Sequence, residues 1–265
     1  MPYVRHWFRT ALLLFVIALA IGLVAAHTSL LQPHELHWDR RLQLDTRTGW
    51  LNQAMLAVSD IVSPVGGLVI LALWCGWLLF VRHSPVKTVT TFLVVAVGWN
   101  SSEIAKILVA RNRPPAIYSL DPEIGSNSFP SGHVAFTVSA AIAACFLARG
   151  TRHQKPVALA GAAVVALVAF SRLYIGAHYP TDVLGSLLVS CSAIICLSGL
   201  WHTWFQSRLT QIPVLSPLLA RFGPLSEGQS TSQGEPVPAA AGTAAAVRED
   251  WSAAGGGQRR RHAAS

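Results

Sequence analysis

Residues 171–207 read SRLYIGAHYPTDVLGSLLVSCSAIICLSGLWHTWFQS. From 183 to 207 this stretch contains no Asp, Glu, Lys or Arg, enough uncharged chain for a helix of about 20 residues to cross a hydrocarbon core about 30 Å thick. Immediately before it stand Arg172, His178 and Asp182. Ionisable groups at the edge of a lipid-spanning segment are costly and are kept for a purpose. The stretch therefore predicts a membrane helix with a polar site at its mouth.

The rest of the chain has the same character. Of its 265 residues 52% are apolar and 12% charged, about half the roughly 25% charged fraction of an ordinary soluble domain. That excludes a long disordered chain and a small disulfide scaffold. Uncharged runs cover 10–34, 61–81, 88–102, 124–148, 156–171 and 183–207, which predicts an all-α integral membrane protein, a bundle of six transmembrane helices. The third and fifth runs are short because Glu103 and Arg172 interrupt them. All four cysteines (Cys75, Cys145, Cys191, Cys196) lie inside these runs, where a thiol acts as a small apolar group; neither a disulfide nor a zinc site is expected. Residues 224–265 turn to Pro, Gly, Ser, Gln and Ala and read as a disordered cytoplasmic tail, with Arg259, Arg260 and Arg261 available to anionic lipid.

The net charge of +8 is topological rather than a sign of nucleic acid. Arg5, Arg9, Arg82, Lys87, Arg149, Arg152, Lys155, Arg208 and Arg221 fall on one side of six alternating spans, and the positive-inside tendency makes that side, with both termini, cytoplasmic. The predicted location is an inner membrane. Val24-Ala25-Ala26 also resembles a signal cleavage site, but the apolar run is long for a signal peptide and reads as a retained anchor. On the outer side, Trp50, Leu51, Ala54, Met55 and Val58 share one helical face, predicting a short amphipathic helix on the outer surface. Tyr174 and Tyr179 read as interfacial anchors or the lining of a lipid entrance. Ala140 with Ala144 and Ser186 with Ser190 suit close helix packing.

Alternation of the spans brings Lys106, Arg113, Ser131, His133, Arg172, His178 and Asp182 to one level on the extracytoplasmic side. Lys106, Arg113 and Arg172 suit a tetrahedral dianion, the two guanidiniums through paired hydrogen bonds. Pro130-Ser131-Gly132-His133 opens an apolar helix with an N-cap residue and a small residue, a cradle for phosphate at a helix N-terminus. Asp182, four residues after His178, can fix the imidazole tautomer and leave the other ring nitrogen nucleophilic. His133, on another helix, is placed as general acid. Glu103 stands one turn from Lys106 as a structural partner. His34, Glu35, His37 and Asp39 read as a solvated loop rather than a metal site, and His83, His153 and His202 as headgroup contacts.

These residues form three ordered blocks: Lys106 with Arg113-Pro114 (106–114), Pro130-Ser131-Gly132-His133 (130–133), and Ser171-Arg172 with His178 and Asp182 (171–182). Together they resemble the signature of the type 2 phosphatidic acid phosphatase superfamily, which includes bacterial lipid phosphate phosphatases and vanadium haloperoxidases. The resemblance covers roughly residues 50–205 of the six-span domain read over 1–223, and it implies a phosphatase that hydrolyses the phosphomonoester or diphosphate of a membrane lipid. By that resemblance His178 becomes a phosphohistidine, Asp182 orients it, and His133 protonates the leaving group. Lys106, Arg113, Ser131, Gly132 and Arg172 hold the phosphoryl oxygens. No metal or other cofactor is implied, and vanadate is expected to bind as a phosphate mimic. The implied partners are the lipid bilayer and a lipid phosphate; oligomeric state is unreadable. A transporter with a one-sided polar cluster and a vanadate-dependent peroxidase are the competing readings.

Overall fold

The computed structural model describes residues 1–205 apart from Tyr3, Thr46 and Ile124. The tail over 224–265, with Arg259, Arg260 and Arg261, and the last part of the expected 1–223 domain lie outside the described residues. Eight α-helices follow one another: α1 (Trp7–His27), α2 (Gln32–Asp45), α3 (Gly49–Ile61), α4 (Pro64–Gly76), α5 (Pro85–Val109), α6 (Gly132–Ala148), α7 (Gln154–Tyr174) and α8 (Pro180–Leu200). α4 and α8 run on into π-helical turns at Trp77–Val81 and Trp201–Phe205. The described residues contain no strand.

Five helical segments are long and apolar enough to cross a membrane: Trp7–His27, Pro64–Val81, Pro85–Val109, Gln154–Tyr174 and Pro180–Trp204. The sixth expected span, Gly132–Ala148, has 17 residues. The predicted pattern of short spans is thereby corrected. α5 and α7 continue through their charged residues: Lys106 and Arg172 point into the protein with side chains 16% and 1% exposed, and the exposed Glu103 pairs with Lys106 one turn away. The fourth run is the short helix, because 125–131 is loop although it is uncharged.

α8 is the central element and packs against α1, α5 and α6. Its buried face is made of small residues, Gly185, Ser186, Val189, Ser190 and Gly199 among them, which let neighbouring backbones approach closely. The serines also bond across the interfaces: Ser190 Oγ donates to Gly98 O (3.1 Å), Ser186 Oγ to Ser131 O (2.9 Å) and Ser192 Oγ to Ala11 O (2.7 Å). Such carbonyl contacts contribute about 0.6 kcal/mol each in lipid. Val94, Val95, Val134, Phe136, Val138, Val168 and Ile194 fill the space between α5, α6, α7 and α8. Trp99 meets Phe136 edge-on at 5.1 Å.

The predicted amphipathic helix is α3. Met55 is buried against Tyr174, Ile175 and Ala177, with Leu51, Ala54 and Val58 partly buried beside it. Trp50 departs from that face and is 73% exposed. Helix α3 packs against α7, so it serves as a wall of the protein.

Candidate active site

Each block of the site sits where a helix starts or stops. α5 ends because Ala110 turns left-handed (φ 49°) while its N–H bonds back to Lys106 O. That conformation costs a non-glycine residue about 1 kcal/mol, and it lies between Lys106 and the two arginines that follow. The loop closes at Phe129, whose fully buried ring lies against Gly22 of α1 and Gly185 of α8. A Cβ at Gly185 would collide with that ring, so this glycine is what lets the loop seat on α8.

Ser131 then takes the N-cap position of α6, but its hydroxyl makes no capping bond and is a buried oxygen with no partner. The N–H groups of the first turn are therefore not closed off by that side chain, which suits an anion at a helix N-terminus. Lys106 Nζ approaches this turn: it would lie 3.4 Å from a Cβ on Gly132, and it is paired with Glu103 at 2.7 Å, as the sequence suggested. His133 follows in the first turn and is half-buried.

At the end of α7, Ser171 Oγ donates to Met55 O (2.6 Å), tying that helix to α3. Arg172 donates to Ser59 of α3 and to Glu123, while its Nε is buried and unpartnered. Arg113 donates to Asn127 (2.9 Å) and to Ala177 O (3.1 Å) and forms an ion pair with the other oxygen of Glu123 at 2.8 Å. One carboxylate thus bridges the two guanidiniums expected to hold phosphate. Burial alone would raise the Glu123 pKa, but Arg172 and Arg113 outweigh it and hold the carboxyl below its usual range.

His178 and Asp182 are both fully buried. Asp182 Oδ1 accepts from Arg111 Nη1 (2.5 Å), and Oδ2 accepts from Ser128 Oγ (2.5 Å) and the Tyr179 N–H (2.9 Å). His178 Nδ1 stands 3.4 Å from Oδ2 and has no other partner. That is long for a hydrogen bond, as hydrogen bonds of reacting groups often are before substrate arrives. Burial depresses the His178 pKa to about 4; the Asp182 bond opposes this, and Arg172 and Arg113 add to it. The imidazole is therefore neutral at physiological pH, the form a nucleophile needs.

The three blocks come together as expected. Lys106 meets the start of α6, Arg113 meets the segment before His178, and the Ser131 N–H faces Asp182 O at 3.4 Å. Two expectations change. Tyr174 and Tyr179 are buried framework rather than interfacial anchors: Tyr174 Oη donates to Asn52 (2.8 Å) and Tyr179 lies beneath the Arg111 guanidinium at 4.2 Å. The segment around Glu35 is helix, not solvated loop, because Glu35 pairs with the buried Arg111 and is itself buried. Arg111, Glu35, Ser59, Glu123 and Ser128 were missed. Only Arg111 carried a signal, as a cation within the first block.

Among the described residues no three His, Cys, Asp or Glu side chains gather as metal ligands.

Comparison with known proteins finds relatives and a shared fold. The chain is 29% identical over 144 residues to undecaprenyl-diphosphatase BcrC of Bacillus subtilis, covering 53% of this chain and 69% of that one. It is 28% identical over 203 residues to phosphatidylglycerophosphatase B of the same organism, covering 71% and 92%. The crystal structure of the transmembrane PAP2 type phosphatidylglycerolphosphate phosphatase from Bacillus subtilis shares the fold, with a TM-score of 0.63 at 24% identity over 77% of this chain and 98% of that one. A family model matches residues 86–208, which contain all three blocks. The family that this model describes is the PAP2 superfamily.

Proposed function

We propose that this protein is an integral membrane phosphatase that removes the terminal phosphate of a lipid monoester or diphosphate through a phosphohistidine intermediate. The observation that carries the reading is the convergence of Arg113 and Arg172 on one carboxylate beside the buried His178–Asp182 pair. A site able to hold Glu123 between two guanidiniums can hold a phosphoryl group there. His178 Nε2 attacks phosphorus as the bond to the leaving oxygen breaks. His133 gives that oxygen its proton, and Asp182 faces the imidazolium that forms. Water then attacks phosphorus, the P–N bond breaks, and inorganic phosphate leaves. The cations and the start of α6 bind the charge developing on the equatorial oxygens.

The names of the relatives, undecaprenyl-diphosphatase and phosphatidylglycerophosphatase B, support a lipid substrate, as does a site at the ends of apolar helices. The distribution of basic loops supports six spans in an inner membrane, cytoplasmic termini and an extracytoplasmic site. The test is phosphate release by purified protein from phosphatidic acid, phosphatidylglycerol phosphate, undecaprenyl diphosphate and a lipid A phosphate, in EDTA. Release from at least one of them, inhibited by vanadate, is expected. No release from any, or release that requires an added divalent metal, overturns the proposal.

Glu123 adds a second prediction. Its charge competes with an incoming phosphate for Arg113 and Arg172, so Glu123→Gln makes vanadate and inorganic phosphate better inhibitors. The expected fall in inhibition constant is about 5-fold, because a neutral acceptor competes less well than an ionised one. An unchanged or raised constant would show that the substrate does not enter where Glu123 lies.

A further inference from the structure

We infer that Arg111 and Glu35 are positioning residues for the catalytic pair, acting through the carboxylate of Asp182. The inference rests on the phosphatase reading and extends it to α2, which lies outside the three signature blocks. Arg111 is 3% exposed and divides its guanidinium between two carboxylates: Nη1 meets Asp182 Oδ1 at 2.5 Å and Nη2 meets Glu35. Thr181 closes the set, its hydroxyl accepting from Arg111 Nη1 (2.7 Å) and donating to Glu35 Oε1 (2.6 Å), while its N–H also meets that oxygen at 3.2 Å. Tyr179 lies flat beneath the guanidinium at 4.2 Å.

The geometry is more than a tie between α2 and a loop. A structural tie needs Arg111 to reach Glu35 alone. Here its other arm claims one oxygen of Asp182 and leaves Oδ2, already oriented by Ser128 and the Tyr179 N–H, as the oxygen that faces His178. A carboxylate held on both oxygens cannot rotate, so the imidazole has one partner in one place. Glu35 supplies the second negative charge. Without it Arg111 would draw more fully on Asp182 and reduce what that carboxylate can offer to the imidazolium formed during attack. Groups that orient such a partner are typically worth about 10–100-fold in activity.

The experiment uses the full chain in detergent with a lipid that the wild type hydrolyses. Glu35→Gln keeps the shape of the side chain and removes its charge; Thr181→Val removes the hydroxyl that links the two. Glu35→Gln should lower kcat about 10–100-fold with KM within about 3-fold, and Thr181→Val should lower kcat about 5-fold. Each is repeated in an Asp182→Asn background, where neither should cause a further fall, because residues that act through Asp182 have nothing left to position. A wild-type kcat in both single variants overturns the inference, and so do losses that add in full to that of Asp182→Asn. If Glu35→Gln does not fold, Thr181→Val and its double variant make the same decision. A wild type inactive on every lipid overturns the phosphatase reading itself; an active wild type with indifferent variants overturns this inference alone.

Discussion

Replacing His178 by Ala removes phosphate release, by about 10⁴-fold or more, because no other group can supply the attacking atom. The residue is fully buried, and the groups around it have other tasks: Arg172 and Arg113 are engaged with Glu123, and Asp182 with Arg111, Ser128 and Tyr179. The measurement is turnover together with acid-labile, alkali-stable phosphate on the protein after quenching with labelled lipid; both signals should vanish. Full activity in the variant, or a phosphoenzyme that persists in it, would assign the attack to another group. The wild-type pH profile tests the same role. With its pKa at about 4, below the usual 6.5, His178 stays neutral through the range where a solvated histidine would already be protonated. The nucleophile is lost only as pH falls through the depressed value, so the acid limb it causes in kcat/KM belongs near pH 4 rather than 6.5.

What could be read without a structure, and what could not, follows from how far apart in the chain the cooperating groups lie. His178 and Asp182 are four apart, and Ser131, Gly132 and His133 are consecutive, so each block shows its chemistry locally, and alternating spans bring the blocks to one level. Arg111 and Glu35 are separated by 76 residues and Arg172 and Ser59 by 113, and no periodicity announces a pairing at that distance. Helix lengths misled for a related reason. A charge in the sequence does not by itself mark a span's end: α5 runs through Glu103, which pairs with the inward-facing Lys106, and α7 through the buried Arg172. Residues 125–131 are uncharged and yet not helical: Phe129 is packed between α1 and α8, and Ser128 serves Asp182. A hydropathy pattern cannot tell a buried loop from the first turns of a helix.

Replacing His133 by Asn should slow the reaction according to the leaving group. His133 sits in the first turn of α6, next to the glycine that Lys106 Nζ approaches, on a different helix from His178. As a general acid it matters in proportion to the basicity of the oxygen that departs. An alkoxide leaving from a lipid monoester is about as basic as hydroxide, whose conjugate acid has a pKa near 15.7, and cannot leave readily without a proton; there the loss should reach about 10³-fold, within the 10²–10⁴ typical of general acid–base catalysis. A lipid phosphate leaving from a diphosphate takes its proton with a pKa of about 6, and p-nitrophenyl phosphate likewise releases a weakly basic oxygen. With these substrates the loss should shrink to about 10-fold or less, since the leaving group needs little help. The decisive quantity is the ratio of wild-type to variant kcat/KM for each substrate, measured on one preparation so that any loss of folded protein cancels. Equal ratios would remove His133 from proton transfer and leave it a phosphate contact. A ratio that grows with leaving-group basicity puts the proton on His133, and requires His133 to be protonated and His178 neutral in the same enzyme–substrate complex.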